Sequence, residues 1–128
     1  MGTSDKQPED GPLIEYFAGD TVSAEGHLKD GERHGVWRYF FRNGKLKAFG
    51  KYDLGELDEA WQWWSENGLS LQAGSFDKGR QVGLWRRYYD NGQLWDEGTY
   101  EAGRKVGEWK VYDRPGALKQ VKVYTPKR

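Results

Sequence analysis

"GLWRRYYDNGQLWDEGTY", residues 83–100, sets Asn91-Gly92 between two runs rich in aromatic residues. Asn-Gly readily adopts two successive positive φ angles, as a tight hairpin turn demands. The stretch therefore reads as two short antiparallel strands. Nearly the same phrase returns as "GVWRYFFRNGKLKAFGKY" (35–52) and "GEWKVYDRPGALKQVKVY" (107–124). A hairpin used repeatedly is an architecture.

The period can be counted. Trp37, Trp61, Trp85 and Trp109 recur every 24 residues, and so do Gly26, Gly50, Gly74 and Gly98. Gly31, Gly55, Gly79 and Gly103 keep the same step, as do the turn glycines Gly44, Gly68, Gly92 and Gly116. Phe40, Trp64, Tyr88 and Tyr112 sit three after each Trp; Tyr52, Phe76, Tyr100 and Tyr124 form a further column, headed by Leu28. Shared columns at one fixed step are the signature of a repeat array. Four copies cover 26–49, 50–73, 74–97 and 98–121. Residues 13–25 read as a degenerate partial unit, with Tyr16 in the Phe40 column, and "KVKVY" supplies a closing strand. Residues 1–12 and 125–128 are expected to be tails.

Each unit carries two turn signals and so two strands. Short links cannot make parallel crossovers, so successive hairpins must form an antiparallel meander. The expected fold is all-β: one elongated, twisted sheet of nine or so strands and no helix. "DEAWQWWSENG" has helix-tolerant letters, but its register fits a strand.

Composition narrows the function. The 128 residues carry 20 basic and 20 acidic side chains, a balance that argues against a nucleic-acid binder. Cysteine is absent, which suits a reducing compartment; with no leader-like stretch in the first residues, a cytoplasmic location is expected. Aromatics reach 16% while hydrophobic residues make up only 36%, so Trp and Tyr must supply most of the buried area. Disordered chains are poor in aromatics; this one should be ordered.

These columns resemble the MORN repeat (membrane occupation and recognition nexus) in its bacterial variant form, through the recurrent GxWxxYyxNGqLxxxGxY over about 26–124. Arrays of this kind often carry the label of YwqK-type antitoxins. The resemblance implies an elongated β-meander used for binding, without catalytic residues of its own. Two units depart from the pattern. Glu59 stands where the others have Gly35, Gly83 and Gly107, and the fourth has Pro115 for the turn Asn and Lys122 for the next glycine.

Column residues need no partner to explain them; glycines serve turns and close approach, and aromatics are expected to stack on their equivalents one unit away. Trp85 and Tyr88 are three apart, so either a bulge brings them together or the sheet is aromatic on both sides. Tyr88 with Leu94, like Phe40 with Leu46, should pair across the turn and mark the core side. By the same symmetry 39/47, 63/71, 87/95 and 111/119 should oppose one another. That would gather Trp63, Leu71, Arg87 and Trp95 into one patch on a variable face, with a cation–π contact between Arg87 and Trp95. The patch serves either a protein partner or merely covers an open sheet.

Other chemistry is thin. His27 and His34, with Asp30 and Glu32 between them, read as solvated turn residues rather than a metal site. No nucleophile motif or phosphate loop is present, and carboxylates such as Asp58 and Glu59 have nothing to bury them for acid–base work. No cofactor and no enzymatic activity are expected. The favoured function is a protein-interaction module for a partner such as a toxin or effector. Attachment to a membrane surface is the alternative, with Lys119, Lys122, Lys127 and Arg128 the only basic concentration, and self-assembly through free sheet edges is the third reading.

Overall fold

The structure, a computed structural model, describes residues 10–125. Ten strands follow one another in a single antiparallel sheet whose spatial order is the chain order. They are β1 (Gly11–Tyr16), β2 (Val22–Lys29), β3 (Glu32–Phe40), β4 (Leu46–Asp53), β5 (Glu56–Trp64), β6 (Ser70–Asp77), β7 (Arg80–Tyr88), β8 (Leu94–Glu101), β9 (Arg104–Tyr112) and β10 (Leu118–Tyr124). The expected meander is observed, with ten strands rather than nine and no helix among the described residues. Gly11 and Pro12, read as the end of a tail, already pair with Leu28 and His27. The rest of that expected tail, 1–9, lies outside the described residues, as do 126–128 at the other end.

The turns divide the work differently from the sequence reading. The two-residue turns with both φ positive are the links between units: Asp30-Gly31, Leu54-Gly55, Lys78-Gly79 and Ala102-Gly103. At Asn43-Gly44 and Asn91-Gly92 only the glycine has positive φ. There the chain makes a wider loop, closed by Tyr89 N–H to the Gln93 carbonyl at 2.8 Å and Gly92 N–H to the Tyr89 carbonyl at 3.0 Å. This is a turn followed by a left-handed glycine, the next commonest hairpin after the two-residue kind. Asn stays at negative φ, where its side chain makes two bonds. Asn91 Oδ1 accepts the Gln93 amide at 2.9 Å, and Nδ2 donates to the Arg114 carbonyl of the next unit at 3.2 Å. Asn43 repeats both bonds, to Lys45 and Glu66. Pro115 cannot do so, and Asp113 Oδ1 instead accepts Gly116 N–H at 3.0 Å and Ala117 N–H at 2.8 Å.

The core is one row of indoles. Trp37, Trp61, Trp85 and Trp109 are between 0% and 4% exposed. Each lies across the glycine of the preceding strand: a Cβ at Gly74 would sit inside the van der Waals envelope of the Trp85 ring, and Gly26, Gly50 and Gly98 stand in the same relation to their tryptophans. Each indole N–H also donates to a carbonyl of that preceding strand, His27, Lys51, Ser75 and Thr99, at 2.8–3.1 Å. The Trp and Gly columns are therefore one requirement, an indole lying flat on bare backbone and bonded to it.

Register corrects two expectations. Tyr88 does pair with Leu94 and Phe40 with Leu46, but the pairs are only half-buried. β7 alternates normally from Trp85 to Tyr88, placing them on opposite faces; the sheet is aromatic on both sides, and its core side is the tryptophan side. In addition, each even strand from β4 onward carries a bulge just after the wide turn. Tyr39 pairs with Ala48, Trp63 with Gln72, Arg87 with Asp96 and Val111 with Gln120. Lys47, Leu71, Trp95 and Lys119 are the extra residues and oppose nothing, as bulged residues do.

The bulges on the odd strands explain Gly35, Gly83 and Gly107, all at positive φ where three residues face one glycine of the neighbouring strand. Glu59 takes the same conformation at φ 59° and ion-pairs with Lys51 at 3.3 Å.

Candidate functional site

Three rows of side chains cross the tryptophan face. The indoles form the middle row. On the side of the link turns, Tyr52, Phe76 and Tyr100 meet them edge-on, with centroids 5.1–5.7 Å away at Tyr52–Trp61, Phe76–Trp85 and Tyr100–Trp85. The tryptophans are thus bridged by other rings rather than stacked on one another, contrary to the expectation from the repeat. On the side of the wide turns runs the register row Ala24, Tyr39, Ala48, Trp63, Gln72, Arg87, Asp96, Val111, Gln120.

Two residues of that row enter the indole row as rungs. Tyr39 lies between Trp37 and Trp61, 6.1 and 6.4 Å from them, and Trp63 lies between Trp61 and Trp85 at 5.7 and 5.9 Å. All four pairs are inclined by only 26–34°. The result is a ladder of five rings, Trp37–Tyr39–Trp61–Trp63–Trp85. Such ring pairs add about 0.5–1.5 kcal/mol each beyond their buried area.

The next rung is missing. Its position, between Trp85 and Trp109, belongs to Arg87. The guanidinium turns instead toward the wide turn, where it stacks on Trp95 with its carbon 4.0 Å from the ring centroid. It also grips Asp96 bidentately, Nε to Oδ1 at 3.0 Å and a terminal nitrogen to Oδ2 at 2.6 Å. Asp96 is only 4% exposed, so this fork satisfies a carboxylate the fold has buried. The hydrogen bond to Asp96 is also the main reason the Arg87 pKa stands above its ordinary value. Trp95 in turn stacks on Tyr89 at 5.4 Å and 25°.

Where the rung is absent a groove of about 220 Å³ opens. Trp85 and Trp109 form its walls, Tyr100 and Asp96 part of its floor, and Arg87 and Lys105 its rims. Gln72 and Gln81 complete its lining. Lys105 Nζ lies 4.6 Å from the Trp109 ring and has no carboxylate within ion-pair distance among the described residues. The groove can hold a flat ring and offers hydrogen-bond donors around it; it presents no nucleophile or acid–base pair.

Of the four residues singled out from the sequence, Arg87 and Trp95 do touch, through the bulge rather than by direct opposition. Trp63 is not free: it is a rung of the ladder. Leu71 stands apart on its own bulge, 46% exposed. Sequence reasoning missed Asp96, Tyr100 and Lys105. A signal existed in the column 39, 63, 87, 111, where Tyr and Trp give way to Arg and Val. His27 and His34 face each other on β2 and β3, and His34 Nδ1 accepts the Leu54 amide at 3.1 Å. No group of three or more metal-ligating side chains occurs among the described residues.

Comparison with known proteins agrees with this geometry in two places. Residues 33–52 and 81–102 match the family model described as "MORN repeat variant". These segments are the hairpins β3–β4 and β7–β8, whereas β5–β6, which carries Glu59, and β9–β10, whose turn carries Pro115, lie outside both matches. No curated protein matches the chain. Among solved structures, the one titled "Crystal structure of GtfA/B complex bound to UDP and GlcNAc" is similar at 16% identity and a TM-score of 0.39, over 93% of this chain. The chain spans 28% of that protein's length.

Proposed function

We propose that this chain is a non-enzymatic protein-interaction module that docks its partner on the tryptophan face, over hairpin β7–β8. The observation that carries this is the interruption of the ring ladder. A scaffold that fills the equivalent spaces with Tyr39 and Trp63 leaves one groove open beside an exposed tryptophan. Trp95, 37% exposed and stacked on Arg87, makes with it a pair of the residue types that dominate interface hot spots. Repeats of the matched class are protein- or membrane-interaction modules, which supports binding as the function. In its narrower form the partner is a toxin or effector that the chain holds inactive in the cytoplasm, as the YwqK-type resemblance implies.

Site-directed photo-crosslinking in native cells tests the proposal. A crosslinker at Trp95 should capture one protein reproducibly, and one at Leu84, 50% exposed on the opposite face, should not. Equal capture from both faces, or strong binding of the purified chain to anionic vesicles without any protein partner, would count against it.

A further inference from the structure

We propose that the slot between Trp85 and Trp109 takes an aromatic side chain from the partner, carried on a segment with acidic neighbours; this rests on the protein-interaction reading above. The molecule supplies its own precedent. The repeat builds three equivalent spaces between successive core indoles. Two are filled from within, by Tyr39 and by Trp63, each lying 5.7–6.4 Å from the indoles on both sides. The third has the same walls and the same edge-on ring, Tyr100, 5.7 Å from Trp85 and 5.1 Å from Trp109. It lacks the rung, and it carries Asp96 where the first space has Ala48. The first two spaces therefore show which occupant such walls accept: an aromatic ring, lying nearly parallel to two indoles.

The rim specifies what the ring arrives on. Arg87 and Asp96 neutralise each other in their fork. Among the described residues, Lys105 is left as the uncompensated charge at the groove, its ammonium lying over Trp109. A carboxylate next to the incoming ring would find that ammonium, while a basic neighbour would meet repulsion. Intrusion of Arg87 itself is prevented by its two bonds to Asp96 and its stack on Trp95, so the slot is held open by the same contacts that bury Asp96.

The test uses the whole chain and a defined probe, the blocked peptide acetyl-Glu-Trp-Glu-amide, titrated while the indole N–H signals of the seven tryptophans are followed by NMR. The signals of Trp85 and Trp109 should move saturably, and those of Trp37 and Trp61 should not. Replacing the probe's Trp by cyclohexylalanine, or its Glu residues by Lys, should weaken binding about tenfold, the scale of one aromatic or charged contact. The double variant Arg87→Tyr with Asp96→Ala writes the Tyr39–Ala48 pair of β3–β4 into β7–β8 and fills the slot from within. It should keep or raise Tm and lose the probe. Lys105→Glu, which leaves Asp96 and its partner untouched, should retain the fold and weaken the acidic probe. Absence of saturable shifts in the native chain, equal binding of the cyclohexyl peptide, or full binding by the folded double variant would each overturn the slot. A partner captured at Trp95 that binds native and slot-filled chains alike would also overturn it, while leaving the protein-interaction reading standing. Failure to capture any protein removes that reading and is observed independently of the indole shifts.

Discussion

Hairpins β3–β4 and β7–β8 are built to one plan and end in opposite states. Both match the same repeat, both lay an indole across a bare glycine, and both carry the bulge that lets two residues face one. In the first, Tyr39 opposite Ala48 slides between two core indoles and closes the stack. In the second, Arg87 opposite Asp96 is pulled to the rim and the stack breaks. The exchange is coordinated: a small residue opposite the ring leaves room for it, and a buried carboxylate opposite the arginine holds it away. What separates a finished stretch of scaffold from an open groove is thus one cross-strand pair. The repeat tolerates both because the indole, the glycine beneath it and the N–H bond to the preceding strand do not depend on that pair.

The contrast predicts unequal cores. Trp61 has Tyr39 and Trp63 on its two faces and Tyr52 at its edge, whereas among the described residues Trp109 has only the Tyr100 ring at its edge and Lys105 above it. Trp61→Ala should cost about 3–5 kcal/mol of unfolding free energy, the usual range for a buried large aromatic. Trp109→Ala should cost about 1–2 kcal/mol less, since the missing face-to-face neighbours are worth that much. Urea unfolding of the two variants measures the gap, and equal losses would show that the ladder adds nothing to simple burial.

Trp63 and Trp95, alike in lying outside the repeat columns, differ in the same way. Trp63→Ala removes a rung and should destabilise the chain by about 2–3 kcal/mol, a burial term reduced by its partial exposure. Trp95→Ala removes one stacked face from Arg87 and one from Tyr89 at the surface, and should cost about 1 kcal/mol or less. Thermal unfolding of the two single variants decides it. Similar values would mean that Trp63 is as peripheral as its place outside the columns suggests.

That pair shows where the sequence could be read and where it could not. The 24-residue columns were legible because each answers a hard steric demand: no side chain fits at Gly74 under Trp85, so the glycine and the indole recur together. The antiparallel order followed from the turn signals. The bulges did not, because nothing at Lys47, Leu71, Trp95 or Lys119 distinguishes an extra residue from a paired one, and the bulged residue differs from unit to unit. Turn type was misread at Asn91-Gly92 because the dipeptide fits both a two-residue turn and the wider loop. The wider loop closes in the same way at residues 65–69 and at 113–117, where Pro115 stands in place of Asn, so the dipeptide alone does not select it. For the site, the Arg87–Trp95 contact was legible from proximity to the turn. The open slot was not, since it is defined by a residue that fails to do what Tyr39 and Trp63 do.

Arg87 and Asp96 offer a smaller effect with a sharper signature. Arg87→Ala strands a carboxylate that is 4% exposed and should cost about 1–3 kcal/mol, the penalty of an unsatisfied buried acceptor. Removing Asp96 as well should return more than half of that loss, because the uncompensated charge is the source of the cost rather than the missing contact. A double-mutant cycle by chemical denaturation reads both. Additive losses would mean that solvent already reaches Asp96 and that the fork does not hold the groove open.

The smallest effect separates the two hairpins by pH. Burial beside Trp37 and Trp61, followed by the hydrogen bond between the Tyr39 and Tyr52 hydroxyls at 2.6 Å, raises the Tyr39 pKa well above the ordinary tyrosine value. In β7–β8 the equivalent position is Arg87, which brings no phenol. A raised phenol pKa means the folded chain keeps a proton that the unfolded chain releases near pH ~10. Below that pH both states are neutral and the contribution of Tyr39 is fully present. As pH climbs from about 10 toward the folded value, the unfolded state alone ionises and stability falls. Tyr39→Phe keeps the ring between the two indoles and removes the titration. Its unfolding free energy should therefore decline less steeply than that of the native chain across roughly pH 10–11.5, with the two curves parallel at neutral pH. Parallel curves throughout would mean that Tyr39 titrates as an exposed phenol, and that the closed end of the ladder is as accessible to water as the open one.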